Sequence, residues 1–273
     1  MKFEQFFANH RIFTVEELID CLKRANSSVN SSTLHNSLAY HQKKSHILRI
    51  RRGLYYSISK GTDPAHYPVD PFLVASKMAG DSVIAYGSAL DLHGKLHSIQ
   101  NRVVYLTKKR VMASFDFRDI KYQAVAIPLA LKAAGQETFG VQSIDRLGQP
   151  VFVTSLERTL VDVLERPYLC GSWEEIWLSL EGIEYLDMDQ LLKYALLLAN
   201  STTIAKLGFF LEMHRDALIV PEHYLEELRK RCPAKPHYMD RNQNQSQKMI
   251  AKWNLVVPLS LINRSWEEPN ANI

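Results

Sequence analysis

The chain has 273 residues, 46% of them hydrophobic and 23% charged, which supplies apolar mass for a core and excludes disorder as the dominant state. That length is long for one domain and natural for two. The formal net charge is +4, but residues 1–60 carry five Lys and five Arg against four acids, or +6, leaving −2 for the other 213.

No run approaches the roughly 18 apolar residues of a membrane span. Glu4, Asn9 and His10 interrupt the N-terminus where a signal peptide needs an unbroken apolar stretch. Cys21, Cys170 and Cys232 are odd in number and far apart. They suit a reducing cytoplasm and offer neither a disulfide framework nor a paired CxxC metal knuckle.

Phe3, Phe6 and Phe7 fall at helical spacing. Thr14-Val-Glu-Glu17 is a capping box opening a second helix, in which Leu18, Cys21, Leu22 and Ala25 make a buried stripe. Asn26–Asn30 reads as a polar turn. A third helix runs from about Ser32 to Lys44, with Leu34 and Leu38 inward and Ser32, His35, Asn36, Ala39 and Lys43 outward. His41 and His46 read as packing or capping residues. In HILRIRRGLYYSI, Leu48 and Ile50 alternate with Arg49 and Arg51, Gly53 permits a tight turn, and Leu54, Tyr56 and Ile58 continue the alternation. The expectation is a hairpin, apolar inside and guanidinium-rich outside, with Tyr55 on the side of the arginines and Tyr56 in the core.

Three helices and a basic hairpin in about sixty residues describe a winged helix-turn-helix. A helix of this kind enters the major groove, where side chains reach base edges. Arg on the hairpin suits phosphates or a narrow minor groove. Ser31, Ser32 and Thr33 at a helix start can offer hydroxyls and backbone N–H groups to a phosphate. A solvated basic face is the bland alternative for an isolated charge run. Here no acid lies between Asp20 and Asp63 while eight Lys or Arg do, and helix order and hairpin chemistry agree with that charge.

Residues 61–71, with Pro64, Pro68, Pro71 and Gly61, disfavour helix and central strand. The domain boundary is placed there, with residues 72–273 as the body. PFLVASKMA reads as a helix, Ser82–Tyr86 as a short strand and Ser88 as the cap of a short helix ended by Gly94. Strands are expected at RVVYLT, FDFRDIKYQAVAI, FGVQSIDRL and PVFVT. Thr154-Ser-Leu-Glu157 reads as a capping box opening SLERTLVDVLERP. Helices follow at WEEIWLSLEGI, MDQLLKYALLLAN, TTIAKLGFFLEMHRD and PEHYLEELRKR, the last with Pro221 as its first residue. Pro233–Gln247 reads as irregular, WNLVVPLSLI as a late extended segment and EEPNANI as a frayed tail. The predicted class is α+β: a small sheet, then a helical cluster.

No GxSxG elbow, GxxxxGK[ST] loop or HExxH is present. Tyr86-Gly-Ser88 resembles the opening of nucleotidyltransferases, but the metal-binding D-x-D pair of that chemistry does not follow on the next strand. Asp116 and Asp119 are wrongly spaced, and Asp187-Met-Asp189 fits an N-cap. His93 and His97 read as capping or packing residues, Arg158 and Asp162 as a structural i, i+4 ion pair, and Trp173, Trp177 and Leu180 as core or interface. No catalytic residue, cofactor or metal site is assigned.

The segments LRIRRGLYYSI, YGSALDLHGKL and VTSLERTLVDVLERP resemble the antitoxin component of AbiE-type abortive-infection systems, a set of predicted transcriptional regulators linked to phage defence. The order of WEEIW, KLGFFLE and HYMDRNQ…KWNLVVP is also similar, so the resemblance runs from about residue 5 to 262. Ser155–Asp162 is its most specific piece. It implies an N-terminal winged helix that binds inverted repeats in its own promoter and represses it, as a dimer or cooperatively. It also implies a C-terminal domain that counteracts a nucleotidyltransferase-like toxin as a type IV antitoxin, without required contact. No partner-binding motif aligns residue by residue.

The expectation is therefore a cytoplasmic DNA-binding autorepressor and antitoxin. Ser32, Thr33, His35, Asn36 and Lys43 would face the major groove. Lys44, Arg49, Arg51 and Arg52 would hold phosphates or the adjacent minor groove, with Tyr55 able to touch the backbone. The alternatives are a ligand-sensing winged-helix transcription factor and a nucleotide-acting enzyme targeted by its N-terminal module.

Overall fold

The computed structural model describes residues 2–25, 30–59, 61–109, 111, 113–240 and 246–264. Residues 26–29 of the expected turn Asn26–Asn30 and the EEPNANI tail lie outside the described residues, as does part of the irregular stretch, 241–245. The class is α+β. No helix among the described residues is long and apolar enough to cross a membrane.

The chain opens with α1 (Lys2–Asn9), β1 (Ile12–Thr14), α2 (Val15–Arg24), α3 (Ser31–Lys43), β2 (Ile47–Arg51) and β3 (Leu54–Ser57). The capping box at Thr14 is formed: its side chain accepts from the Glu17 amide while Glu17 accepts from the Thr14 amide. The strands form an antiparallel sheet in the order β1-β3-β2. Phe13, Ile47 and Tyr55 share one core with Phe6, Phe7, Leu18, Leu22, Leu34 and Leu38 of the helices. The opposite face is covered as well. Ile12, Ile50, Leu54 and Tyr56 join a core with Phe72, Leu73, Val103, Tyr105, Val151 and Val153 of the body. All four residues of β3 are buried. This corrects the expected hairpin, in which one face was to be free.

The body is built on a six-stranded mixed sheet of β4 (Val83–Ile84), β5 (Arg102–Thr107), β6 (Phe115–Phe117), β7 (Ile120–Ala126), β8 (Val141–Arg146) and β9 (Gln149–Thr154). The order is β6-β7-β5-β4-β9-β8, parallel at β5/β7 and β4/β9. FDFRDIKYQAVAI is a hairpin rather than one strand, turning at Arg118 with φ 52°. One sheet face meets the N-terminal unit and α4 (Pro71–Ser76). The other carries α5 (Gly87–Leu92), α6 (Leu129–Ala133) and α7 (Leu156–Glu165). The helical cluster then adds α8 (Trp173–Glu181), α9 (Met188–Leu198), α10 (Ser201–Met213) and α11 (Glu222–Arg229). A small sheet of β10 (His237–Tyr238), β11 (Gln247–Ile250) and β12 (Leu255–Pro258) packs Trp253 against α10, before α12 (Leu259–Asn263).

Several local expectations shift. Ser155, not Thr154, caps α7, while the Thr154 hydroxyl meets that of Thr159 at 2.7 Å. Ser88 does not cap α5; its hydroxyl accepts from the Val104 amide at 2.9 Å and ties the helix to β5. Pro221 stands one place before α11. The 61–71 segment is strapped to the body. Arg118 donates to the Tyr67 and Pro64 carbonyls at 2.6 and 2.9 Å. Asp70 caps α4 and accepts from Arg146 at 2.8 Å.

Candidate nucleic-acid interface

Helix α3 begins at Asn30, whose side chain accepts from the Thr33 amide at 2.7 Å and the Ser32 hydroxyl at 2.9 Å. The Thr33 amide and Ser32 hydroxyl, expected to be open to a phosphate, are thus already engaged by the cap. Leu34, Leu38 and His41 are its buried residues. With 100° per residue, the opposite direction is centred on Ser32, Asn36, Ala39 and Lys43, with Thr33 and Tyr40 on one flank and His35 and Gln42 on the other. All of these are exposed. The face is polar and basic with no acid from Ser31 to Lys44. Tyr40, 57% exposed, belongs to it and was not singled out from sequence. Its signal was helical phase: it lies four residues after Asn36 and three before Lys43.

The end of α3 is fixed to the sheet by histidines. His41 and His46 face each other with Nδ1 atoms 3.0 Å apart, and the His46 amide donates to the His41 carbonyl at 2.9 Å. Phe3, Phe7 and Tyr40 surround the His41 ring. Burial pushes the His41 pKa down, the neighbouring His46 charge adds to this, and Glu4 opposes it.

The arginines of the hairpin part company. Arg49 pairs with Tyr55, Arg51 with Leu54, and Ile50 is the extra residue of a bulge between them. Arg49 therefore lies on the face of Phe13 and Tyr55, the helix side, and is exposed on edge strand β2. Past the bulge Arg51 turns to the body and donates to the Met78 carbonyl at 2.5 Å. This corrects the expectation that both point outward together. Arg52 is exposed in the turn, where Gly53 has φ 81° and accepts from the Val15 amide at 3.0 Å. Lys44 is exposed. Tyr55 is also corrected: it is 8% exposed, stacked on Phe13 at 5.8 Å, with Tyr56 buried on the opposite face.

The most polar part of the body's interior lies elsewhere. Arg158 and Asp162 are fully buried. Arg158 donates to Asp162 at 3.4 Å and to the Phe139 carbonyl at 2.6 Å, and the Tyr194 hydroxyl donates to Asp162 at 2.5 Å. Burial raises the Asp162 pKa against the pull of Arg158 and Tyr194. These contacts join α7, α9 and the segment before β8, a structural bracket. His93 Nε2 lies 2.8 Å from the Thr154 carbonyl oxygen, and Asp187 caps α9. Trp177 and Leu180 are core. Among the described residues no group of three or more His, Cys, Asp or Glu gathers to hold a metal.

No protein-family profile matches the sequence, and no curated protein matches it. The fold is similar to the crystal structure of the RV2827C protein from Mycobacterium tuberculosis, with a TM-score of 0.62 and 14% identity, over 97% of this chain and 93% of that one. The likeness at that identity is one of fold.

Proposed function

We propose that the chain is a cytoplasmic DNA-binding autorepressor and the antitoxin of a toxin–antitoxin operon, its first sixty residues acting as a winged helix-turn-helix. The observation that carries the reading is the outward face of α3, exposed from Ser32 to Lys43 and free of acids, with Lys44, Arg49 and Arg52 exposed around it. Asn36 at its centre suits a bidentate contact to adenine, and Lys43 a phosphate or guanine. The hairpin contributes Arg49 and Arg52 only. Arg51 and Tyr55, turned inward, leave the set. Inverted repeats in the promoter would take two copies of the chain. The resemblance of Ser155–Asp162 and of the hairpin to AbiE-type antitoxins supports a nucleotidyltransferase-like toxin as the functional partner.

The test is binding of the full chain to its own promoter fragment across a salt series. Lys43→Ala, Arg49→Ala and Arg52→Ala should each lower the log–log salt slope by about 0.9, with Arg51→Ala leaving it unchanged. Asn36→Ala should reduce operator affinity by about 1–3 kcal/mol with little change at random DNA. A slope that none of these variants moves removes the surface from the reading. Growth rescue from the adjacent toxin by the full chain tests the antitoxin role.

A further inference from the structure

A cleft of about 800 Å³ opens where the hairpin meets the body sheet. Arg51 enters it from β2, Lys77 and Met78 from the segment after α4, Tyr105 from β5, Lys109 from the segment after β5, and Phe115 from β6. Among the described residues three cations line it and no acid does. Two carboxylates nearby are engaged. Glu17 pairs with Lys77, and Asp81 accepts from the Thr107 hydroxyl at 2.8 Å and the Lys108 amide at 2.6 Å. The Asp81 charge also acts on Lys109, which forms no salt bridge with a described residue. Tyr105 is 7% exposed and lines the cleft. Burial raises its pKa and Arg51 pulls it back. The cleft thus combines positive charge, a phenol and an apolar floor, at a volume typical of ligand sites, roughly 300–1,000 Å³.

We propose that this cleft binds an organic anion of the nucleoside monophosphate class. The phosphate lies between Arg51 and Lys109 and accepts from Tyr105, and the flat base lies over Met78 and Phe115. Arg51 suits the planar oxygen pair of a phosphate, because its guanidinium keeps N–H groups beyond the one given to Met78. The occupant touches the N-terminal unit through Arg51 and the body through every other contact. This goes beyond the DNA-binding reading and does not depend on it.

The test is calorimetry of the full chain, without DNA, with AMP, GMP, CMP and UMP, and with adenosine and inorganic phosphate as the two half-ligands. At least one nucleotide should bind more tightly than about millimolar, the weak end of specific affinity, and each half-ligand at least tenfold more weakly. Lys109→Glu should weaken nucleotide binding at least tenfold. Lys109 is exposed, so an unchanged melting temperature confirms that the variant folds. No nucleotide binding at that concentration overturns the proposal, as does affinity that Lys109→Glu leaves intact.

Discussion

Protonating His41 means placing a charge within a nest of Phe3, Phe7 and Tyr40 rings and against the facing nitrogen of His46. Its pKa is lowered by burial first and by His46 second. A lowered histidine pKa stabilises the folded state above the ordinary value of 6.5. That contribution is lost as pH falls from there through the depressed value. Urea unfolding at pH 7.5 and at successively lower pH should show this loss, and His41→Phe, which fits the aromatic nest, should flatten it. A second single-residue case is Gly208 within α10, where an added Cβ would overlap the Trp253 indole. Gly208→Ala should cost about 1–3 kcal/mol by overpacking, against the roughly 1 kcal/mol gain that helix propensity alone predicts. Chemical denaturation measures which wins.

At the scale of the element, α3 is held by a short inner stripe and by its ends, so its cap matters. Asn30→Ala should cost about 1 kcal/mol of stability, measured by thermal or urea unfolding, because the Thr33 amide loses its acceptor. Helix α3 was legible in the sequence, since Leu34 and Leu38 fix its phase and that phase dictates which polar residues face out. The hairpin was legible only in part. Alternation from Leu48 to Arg51 assigns the two arginines to one side, but a single extra residue at Ile50 reverses that assignment for Arg51. Nothing in the residue types announces the bulge. Tyr55 had a usable signal: Leu54-Tyr55-Tyr56 is a continuous apolar run, the mark of a strand covered on both faces. The same reasoning explains the caps, where neighbouring Thr154 and Ser155 offer equivalent chemistry and packing chooses between them.

Across the whole molecule, charge arithmetic separated a basic sixty-residue unit from a near-neutral body but could not show how they join. The join is a shared core. Ile12, Ile50, Leu54 and Tyr56 are packed by body residues. Arg51 and Met78, and Glu17 and Lys77, are bonded across it. Helix caps and strand periods are local and readable, whereas contact between segments a hundred residues apart leaves no local trace. Unfolding of the full chain should therefore be one cooperative transition by calorimetry. Leu54→Ala should lower its stability by about 2–5 kcal/mol without splitting it in two. The fragment 1–60 on its own should give no cooperative melt, since it would expose the apolar face of its own sheet.

The burial of β3 on both sides also sets a timescale. To release the amides of Leu54–Ser57 to solvent, the molecule must part the sheet from the helices above it and from the body beneath it. Partial openings of either kind leave the strand covered. Hydrogen exchange at these four amides should then follow the global unfolding free energy.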